Sequence, residues 1–260
     1  MIARVQVMNL QNQVIVVTGA AQGLGKAMAE EFAKQGANIA LVDMQTDVVE
    51  AAATNIEKLG VKALGYGVNV TDEQQVEATF AKIAADFGQI NGLINSAGIM
   101  RDGMLLKVKE GQVVDKMPLQ QFQSVLDVNV TGTFLCSREA AAQMVATKSK
   151  GVIVNISSVS RAGNAGQTNY SASKAAVATM TVSWGKELAR FGIRTGCIAP
   201  GLVETAMAQQ MRPEMRERFI KSVPMQRLAE VEELAHAAKF IFENDYFTGR
   251  TLELDGGTRV

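Results

Sequence analysis

The chain has 260 residues, 47% hydrophobic and 20% charged, and its 26 lysines plus arginines equal its 26 aspartates plus glutamates. That length and apolar content suit one large α/β domain over residues 1–260, and a zero formal net charge offers no global attraction to nucleic acid or an anionic membrane. Apolar runs fall far below the roughly 20 residues of a membrane span, the first ten residues hold no secretory-type stretch, and one histidine with two unmatched cysteines argues against metal clusters and Ser-His-Asp hydrolases.

A cytoplasmic location and no bound metal are therefore expected. Cys136 and Cys197 read as reduced core thiols, and His236 as an ordinary helical residue.

Taken in chain order, a β-branched run at 14–18 predicts the first strand and 24–35 the first helix. Strand 38–43, helix 47–59, strand 63–68, helix 73–87 and strand 92–95 follow. A long helical pattern at 119–146 precedes strand 152–157, helix 170–190, strand 194–199, helix 231–243 and a closing strand at 251–254. The first six strands are nearly continuous apolar runs, as strands covered on both faces should be. Such alternation predicts right-handed crossovers and a doubly wound, mainly parallel seven-stranded sheet with helices on both faces. Residues 99–118 break the rhythm: they have no helical period and are longer than an ordinary connection. Within them, 104–109 and 112–117 flank Glu110-Gly111, which fits a small hairpin beside a substrate mouth.

The first strand ends in Thr18-Gly19-Ala20-Ala21-Gln22-Gly23-Leu24-Gly25 and runs straight into a helix. Glycines there let the backbone turn sharply and approach a pyrophosphate, to which the helix N-terminus presents free N–H groups. A plain tight turn would also explain the glycines. Context strengthens the cofactor reading, because Asp43 closes the next strand, where a carboxylate accepts from ribose hydroxyls. A helix cap is the bland account of Asp43.

Tyr170 and Lys174 stand four apart at the start of a helical pattern and so share one face. An ammonium near a phenol favours the phenolate, which is the tuning an acid/base tyrosine needs. Taken alone, the pair is a common one and fits a helix surface far better than a catalytic site. Ser157 ends a strand thirteen residues earlier, at the edge where open α/β sheets place ligands.

With these residues in hand, the chain resembles the short-chain dehydrogenase/reductase family over nearly its whole length. The 18–25 loop matches the family's TGxxxGxG pattern, and Asn95-Ser96-Ala97-Gly98 its NNAG segment. Asn129, Ser157, Tyr170 and Lys174 fall on its catalytic tetrad, Pro200-Gly201-Leu202-Val203-Glu204-Thr205 on its PG loop, and Asp255-Gly256-Gly257 on the close of its last strand. The resemblance implies a Rossmann-type fold in which Tyr170 exchanges a proton with the substrate oxygen and Ser157 polarises that oxygen. It further implies that Lys174 holds the nicotinamide ribose and lowers the Tyr170 pKa, and that Asn129 positions a water. Cofactor contacts implied are Gly19, Gln22, Gly23, Leu24, Gly25, Asp43, Asn69, Val70, Asn95, Ala97, Gly98, Tyr170, Lys174, Pro200, Gly201, Val203 and Thr205. Asn69 and Gly196 depart from residues common in the family, aspartate and asparagine respectively.

Two subfamilies look closest, the 3-oxoacyl-[acyl-carrier-protein] reductases and the type-2 3-hydroxyacyl-CoA dehydrogenases. Both act on the β-carbon of an acyl thioester, so a 3-oxoacyl/3-hydroxyacyl oxidoreductase is expected, with coenzyme A or acyl carrier protein as the carrier. A dehydrogenase of a sterol, sugar or simple alcohol is the alternative enzyme, and a catalytically silent nucleotide-binding scaffold the alternative from another class. Asp43, with no cation at Gln22 or Met44-Gln45, predicts NAD(H) over NADP(H). The resemblance also implies a homotetramer, to which Met180, Trp184, Phe240 and Phe242 would contribute if they are not core.

Overall fold

A computed structural model describes residues 8–205 and 213–258. Strands β1 (Val14–Thr18), β2 (Asn38–Asp43), β3 (Ala63–Gly67), β4 (Gly92–Asn95), β7 (Gly151–Ile156), β8 (Ile193–Pro200) and β9 (Arg250–Leu254) form one sheet in the order β3-β2-β1-β4-β7-β8-β9. Every pairing in it is parallel. The chain lays β2 and β3 to one side of β1 and then returns to place β4 on the other, so the crevice above β1 and β4 is a topological switch point.

Alternation along the strands explains why both faces are apolar. Ile15, Val17, Ile39, Leu41 and Ile94 enter one core, while Val16, Ala40, Val42 and Leu93 enter the other. The first core is covered by helices α1 (Gly23–Lys34), α2 (Thr46–Glu57) and α8 (Val231–Glu243), the second by α3 (Glu73–Phe87) and α5 (Thr133–Ala146). Phe32 of α1 meets Phe242 of α8 edge-on at 4.8 Å, which makes Phe242 a core residue and removes it from any subunit contact. Gly196 in β8 has a packing reason as well: a Cβ there would lie 2.5 Å from Ile241 Cγ2 of α8, leaving no space for asparagine.

The remaining helices are α4 (Leu119–Leu126), α6 (Thr168–Glu187) and α7 (Pro213–Ser222). The expected helix over 119–146 forms, but residues Asp127–Gly132 make a π-helical turn between α4 and α5. Helix α7 was not foreseen. The hairpin is present as a separate antiparallel pair, β5 (Leu106–Lys109) and β6 (Gln112–Lys116). Its turn has positive φ at both Glu110 (52°) and Gly111 (78°), as a two-residue turn matched to strand twist requires. Among the described residues, no helix is long and apolar enough to cross a membrane.

Candidate active site

The loop after β1 is shaped by close approach. A Cβ on Gly19 would lie 2.8 Å from the backbone N and Cα of Ala97, and one on Gly25 would run into the Gly19 carbonyl oxygen. The same two glycines therefore press the loops after β1 and β4 together and seat α1 against the strand end. Thr18 closes the seam: its hydroxyl accepts from the backbone N–H groups of Ser96 and Ala97, each at 3.2 Å. Gln22 is the N-cap of α1, yet its side chain makes no capping bond, so it leaves the first-turn N–H groups uncapped. This open, positively polarised end over a cradle that a Cβ would fill suits a pyrophosphate.

Asp43 reaches the same loop. Its two carboxylate oxygens accept from the backbone N–H groups of Ala21 and Gln45, both at 3.1 Å. Each oxygen keeps a further lone pair for another donor. Asn69 follows β3 and folds back on itself, accepting from the Thr71 N–H (3.1 Å) and hydroxyl (2.9 Å). Val70 is buried against Gly132 of the π turn, where a Cβ would sit 2.8 Å from it. On the other side of the crevice Pro200 ends β8, the Gly201 N–H donates to Leu254 O at 2.8 Å, and Val203 bridges to Ala229, with Thr205 just beyond.

Asn95 is buried at the end of β4. Its amide donates to Ser137 Oγ (2.9 Å) and to Asn155 Oδ1 (2.8 Å), and Asn155 in turn donates to Thr181 Oγ1 at 2.9 Å. The side chain belongs to a buried polar ladder that joins β4, β7, α5 and α6, and its Oδ1 is left without a protein partner.

The π turn carries Asn129. Its Oδ1 accepts from Ile99 N (2.8 Å), and its Nδ2 donates to Ile99 O (3.1 Å) and Ser173 Oγ (3.0 Å). Both amide protons are engaged, so Asn129 fastens the segment after β4 to α6 and keeps one lone pair for a water. Gly98 lies beside it: a Cβ there would be 3.2 Å from Asn129 Oδ1 and 3.6 Å from Lys174 Nζ.

Lys174 is buried, with its ammonium donating to Ile156 O at 2.7 Å and lying 5.6 Å from the centre of the Tyr170 ring. Burial lowers its pKa to about 8. The expectation that Lys174 would leave Tyr170 with a depressed pKa is corrected. Burial raises the phenol's pKa and outweighs the hydrogen bond from Ser158 that lowers it, while the charge of Asp102 raises it further.

The serine assignment also changes. Ser157 is buried, spends its hydroxyl proton on the Lys174 carbonyl at 2.7 Å, and continues the β7–β8 pairing through its N–H to Ile198 O. Ser158, one residue on, is the side chain that acts on the Tyr170 phenol, favouring its ionised form. It caps a short 3-10 turn by accepting from Ser160 N at 3.1 Å, which occupies a lone pair and leaves its O–H to donate. Two adjacent serines were visible at the strand end, but strand alternation sends their side chains to opposite sides, and the residue count to Tyr170 did not say which one faces the crevice.

The cysteines are free and buried, and burial pushes the Cys136 thiol up to about 12. No group of three or more His, Cys, Asp or Glu side chains that could hold a metal occurs among the described residues.

Comparison with known proteins identifies the family. The short chain dehydrogenase family profile matches residues 13–216. The chain is 37% identical to a 3-oxoacyl-[acyl-carrier-protein] reductase of Thermotoga maritima, covering 96% of this chain and 99% of that protein. It is 37% identical to the reductase of the same name from Vibrio cholerae and 34% to that of Escherichia coli, in each case over 96% of this chain and 98% of the relative.

Proposed function

The chain belongs to the short-chain dehydrogenase family and is an oxidoreductase of a CH–OH or keto carbon, and from that premise we propose that it is an NAD(H)-dependent 3-oxoacyl/3-hydroxyacyl thioester oxidoreductase, one catalytic domain over 1–260. The observation that carries the reading is Tyr170 beside Lys174, whose ammonium is anchored at the end of β7 next to Gly98 of the segment after β4. A nicotinamide cofactor, when bound, supplies or accepts the hydride. Tyr170 gives its phenolic proton to the substrate oxygen in reduction and takes it back in oxidation. Ser158 donates a hydrogen bond to that oxygen, which steadies the negative charge developing there. Lys174, which uses one donor on Ile156 O, directs its other donors at the nicotinamide ribose. Asn129 keeps this layer in register through Ile99 and Ser173.

Gly19, Gln22, Gly23, Leu24 and Gly25 cradle the pyrophosphate in this reading, with Asp43 at the adenosine ribose. Asn69, Val70, Ala97 and Gly98 line the adenosine and central parts of the groove. Pro200, Gly201, Val203 and Thr205 line the nicotinamide end. The names of the relatives favour a 3-oxoacyl thioester over a sterol, sugar or simple alcohol. Coenzyme A and acyl carrier protein are both candidate carriers. A cytoplasmic homotetramer is part of the same reading, and light scattering checks the tetramer.

The NAD(H) preference rests on Asp43. Two like charges ~4 Å apart repel by about 4 kcal/mol at an effective dielectric near 20, before solvent screening reduces it. Even a quarter of that favours NADH about fivefold over a cofactor bearing a 2′-phosphate. NADH oxidation with acetoacetyl-CoA, followed by absorbance, should exceed NADPH oxidation in catalytic efficiency. Asp43→Ser with Gln22→Arg should reverse the order. A tenfold wild-type preference for NADPH would remove the assignment of Asp43, and no turnover of any 3-oxoacyl thioester would remove the substrate class.

A further inference from the structure

Both main-chain polar groups of Tyr170 are held by side chains, and both ties end on the segment that follows β4. The Tyr170 N–H donates to Asn169 Oδ1 at 2.8 Å, and Asn169 Nδ2 donates to Arg101 O at 2.8 Å. The Tyr170 carbonyl accepts from Ser173 Oγ at 2.7 Å, and Ser173 Oγ accepts from Asn129 Nδ2 at 3.0 Å. Asn129 in turn exchanges two hydrogen bonds with the backbone of Ile99. Tyr170 is thus fastened twice, by a short tie to Arg101 and by a longer one through Asn129 to Ile99. The segment itself is gripped from α4, where Gln121 Nε2 donates to the carbonyls of Arg101 (2.9 Å) and Asp102 (3.1 Å). It follows directly on Gly98, where a Cβ would lie 3.6 Å from Lys174 Nζ.

Local helix chemistry does not account for these residues. Tyr170 is the third residue of α6, so its N–H is one of the first-turn groups that lack a helical acceptor. An N-cap side chain ordinarily serves such a group, but the N-cap Gln167 makes no side-chain cap bond. Asn169 serves it from inside the helix, where asparagine is a weak helix former. Asn169 and Ser173 are also fully buried, and each uses its polar atoms to join Tyr170 to another element. We propose that Asn169 and Ser173 are positioning residues for Tyr170: they lock its main-chain groups to the segment 99–101 and so fix where the phenol stands in the site. Both act through Tyr170, and neither takes part in the proton transfer. Catalysis is sensitive to such placement, since an error near 1 Å can cost about 10²-fold in rate.

The inference rests on Tyr170 as the proton carrier, but its test needs no particular substrate. Labelled with fluorotyrosine, the protein carries three fluorine probes, at Tyr66, Tyr170 and Tyr246, and Tyr170→Phe assigns the resonance of interest. Asn169→Ala and Ser173→Ala should each shift or split the Tyr170 resonance and leave those of Tyr66 and Tyr246 in place. Each should lower kcat about tenfold for any ketone that the wild type reduces. KM and NADH affinity, the latter read by fluorescence titration, should stay at wild-type values. Asn169→Asp separates the tie from a cap: aspartate still accepts from the Tyr170 N–H, but it cannot donate to Arg101 O. It should lose activity as the alanine variant does. Wild-type activity in Asn169→Asp, or a Tyr170 resonance or a kcat unmoved in either alanine variant, overturns the proposal. So does a fall in kcat matched by an equal fall in NADH affinity, which marks general damage to the fold. The expected changes in an enzyme that reduces other ketones but no thioester keep the proposal and discard the substrate class instead.

Discussion

The wall behind Tyr170 and the β5–β6 hairpin both lie near the approach to α6, and they are built on opposite principles. In the wall, Asn95, Asn155, Thr181, Ser157 and Lys174 are buried, and each places a side-chain donor on another protein group. In the hairpin every residue of both strands is exposed. Val108 pairs with Val113 across it, and Lys107 with Asp115 through an ion pair at 2.7 Å that is open to solvent. A group that must meet a reacting atom has to be held from several sides, because an error near 1 Å in the site lowers the rate steeply. A two-stranded ribbon on its own is marginal in water and is free to vary. The contrast teaches that the groups held from several sides are those where polar burial is densest, whereas the arm is left free of such support.

The strongest way to break that contrast is to remove the reacting groups. Tyr170→Phe retains the ring and should lower turnover by about 10²–10⁴ while NADH still binds, as measured by fluorescence titration. Lys174→Met should damage both turnover and NADH affinity. Because its folded pKa is about 8 against an ordinary 10.5, the wild-type ammonium is present below that pH and is lost above it, so NADH affinity should fall as pH rises through about 8. The sign for stability is opposite. A depressed lysine pKa means that burying the ammonium costs most below about 8, so Lys174→Met should raise the unfolding temperature at pH 7, with the gain shrinking toward pH 10.5. Affinity that is flat across that range would remove the charged role of Lys174.

The two serines sharpen the comparison inside the wall. Ser158→Ala should lower kcat roughly 10- to 100-fold, the worth of one hydrogen bond to a charge that develops in the reaction. Ser157→Ala should leave turnover within severalfold and cost about 1 kcal/mol of stability, as a lost buried hydrogen bond does. The reverse ranking, read from paired kinetics and melting curves, would restore Ser157 as the reacting serine.

The smallest effect is expected from the arm. Replacing residues 107–117 with a short glycine-serine loop should raise the KM for acyl thioesters severalfold and leave NADH binding unchanged. Unaltered thioester kinetics would assign the hairpin to a surface or subunit contact.

Taken by itself, the amino-acid order determined the alternating elements, the glycine loop against α1, Asp43 at the end of β2 and the pairing of Tyr170 with Lys174. These are local: each follows from spacing along one strand, one turn or one helix, where a period of two or 3.6 residues dictates which side chains share a face. Tertiary structure decided the rest. The π turn that carries Asn129 forms inside a helical pattern whose periodicity gives no sign of it, and its amide is fastened by Ile99, thirty residues away. Asn95 is fastened to Asn155 because β4 and β7 are neighbours in the sheet, which sets the two opposite each other. Ser157 turns its hydroxyl to the Lys174 carbonyl, seventeen residues further along the chain, because the fold packs the end of β7 against α6. Which partner a polar side chain takes is settled by what the fold brings within about 3 Å of it, and the spacing of residues along the chain carries no record of that distance.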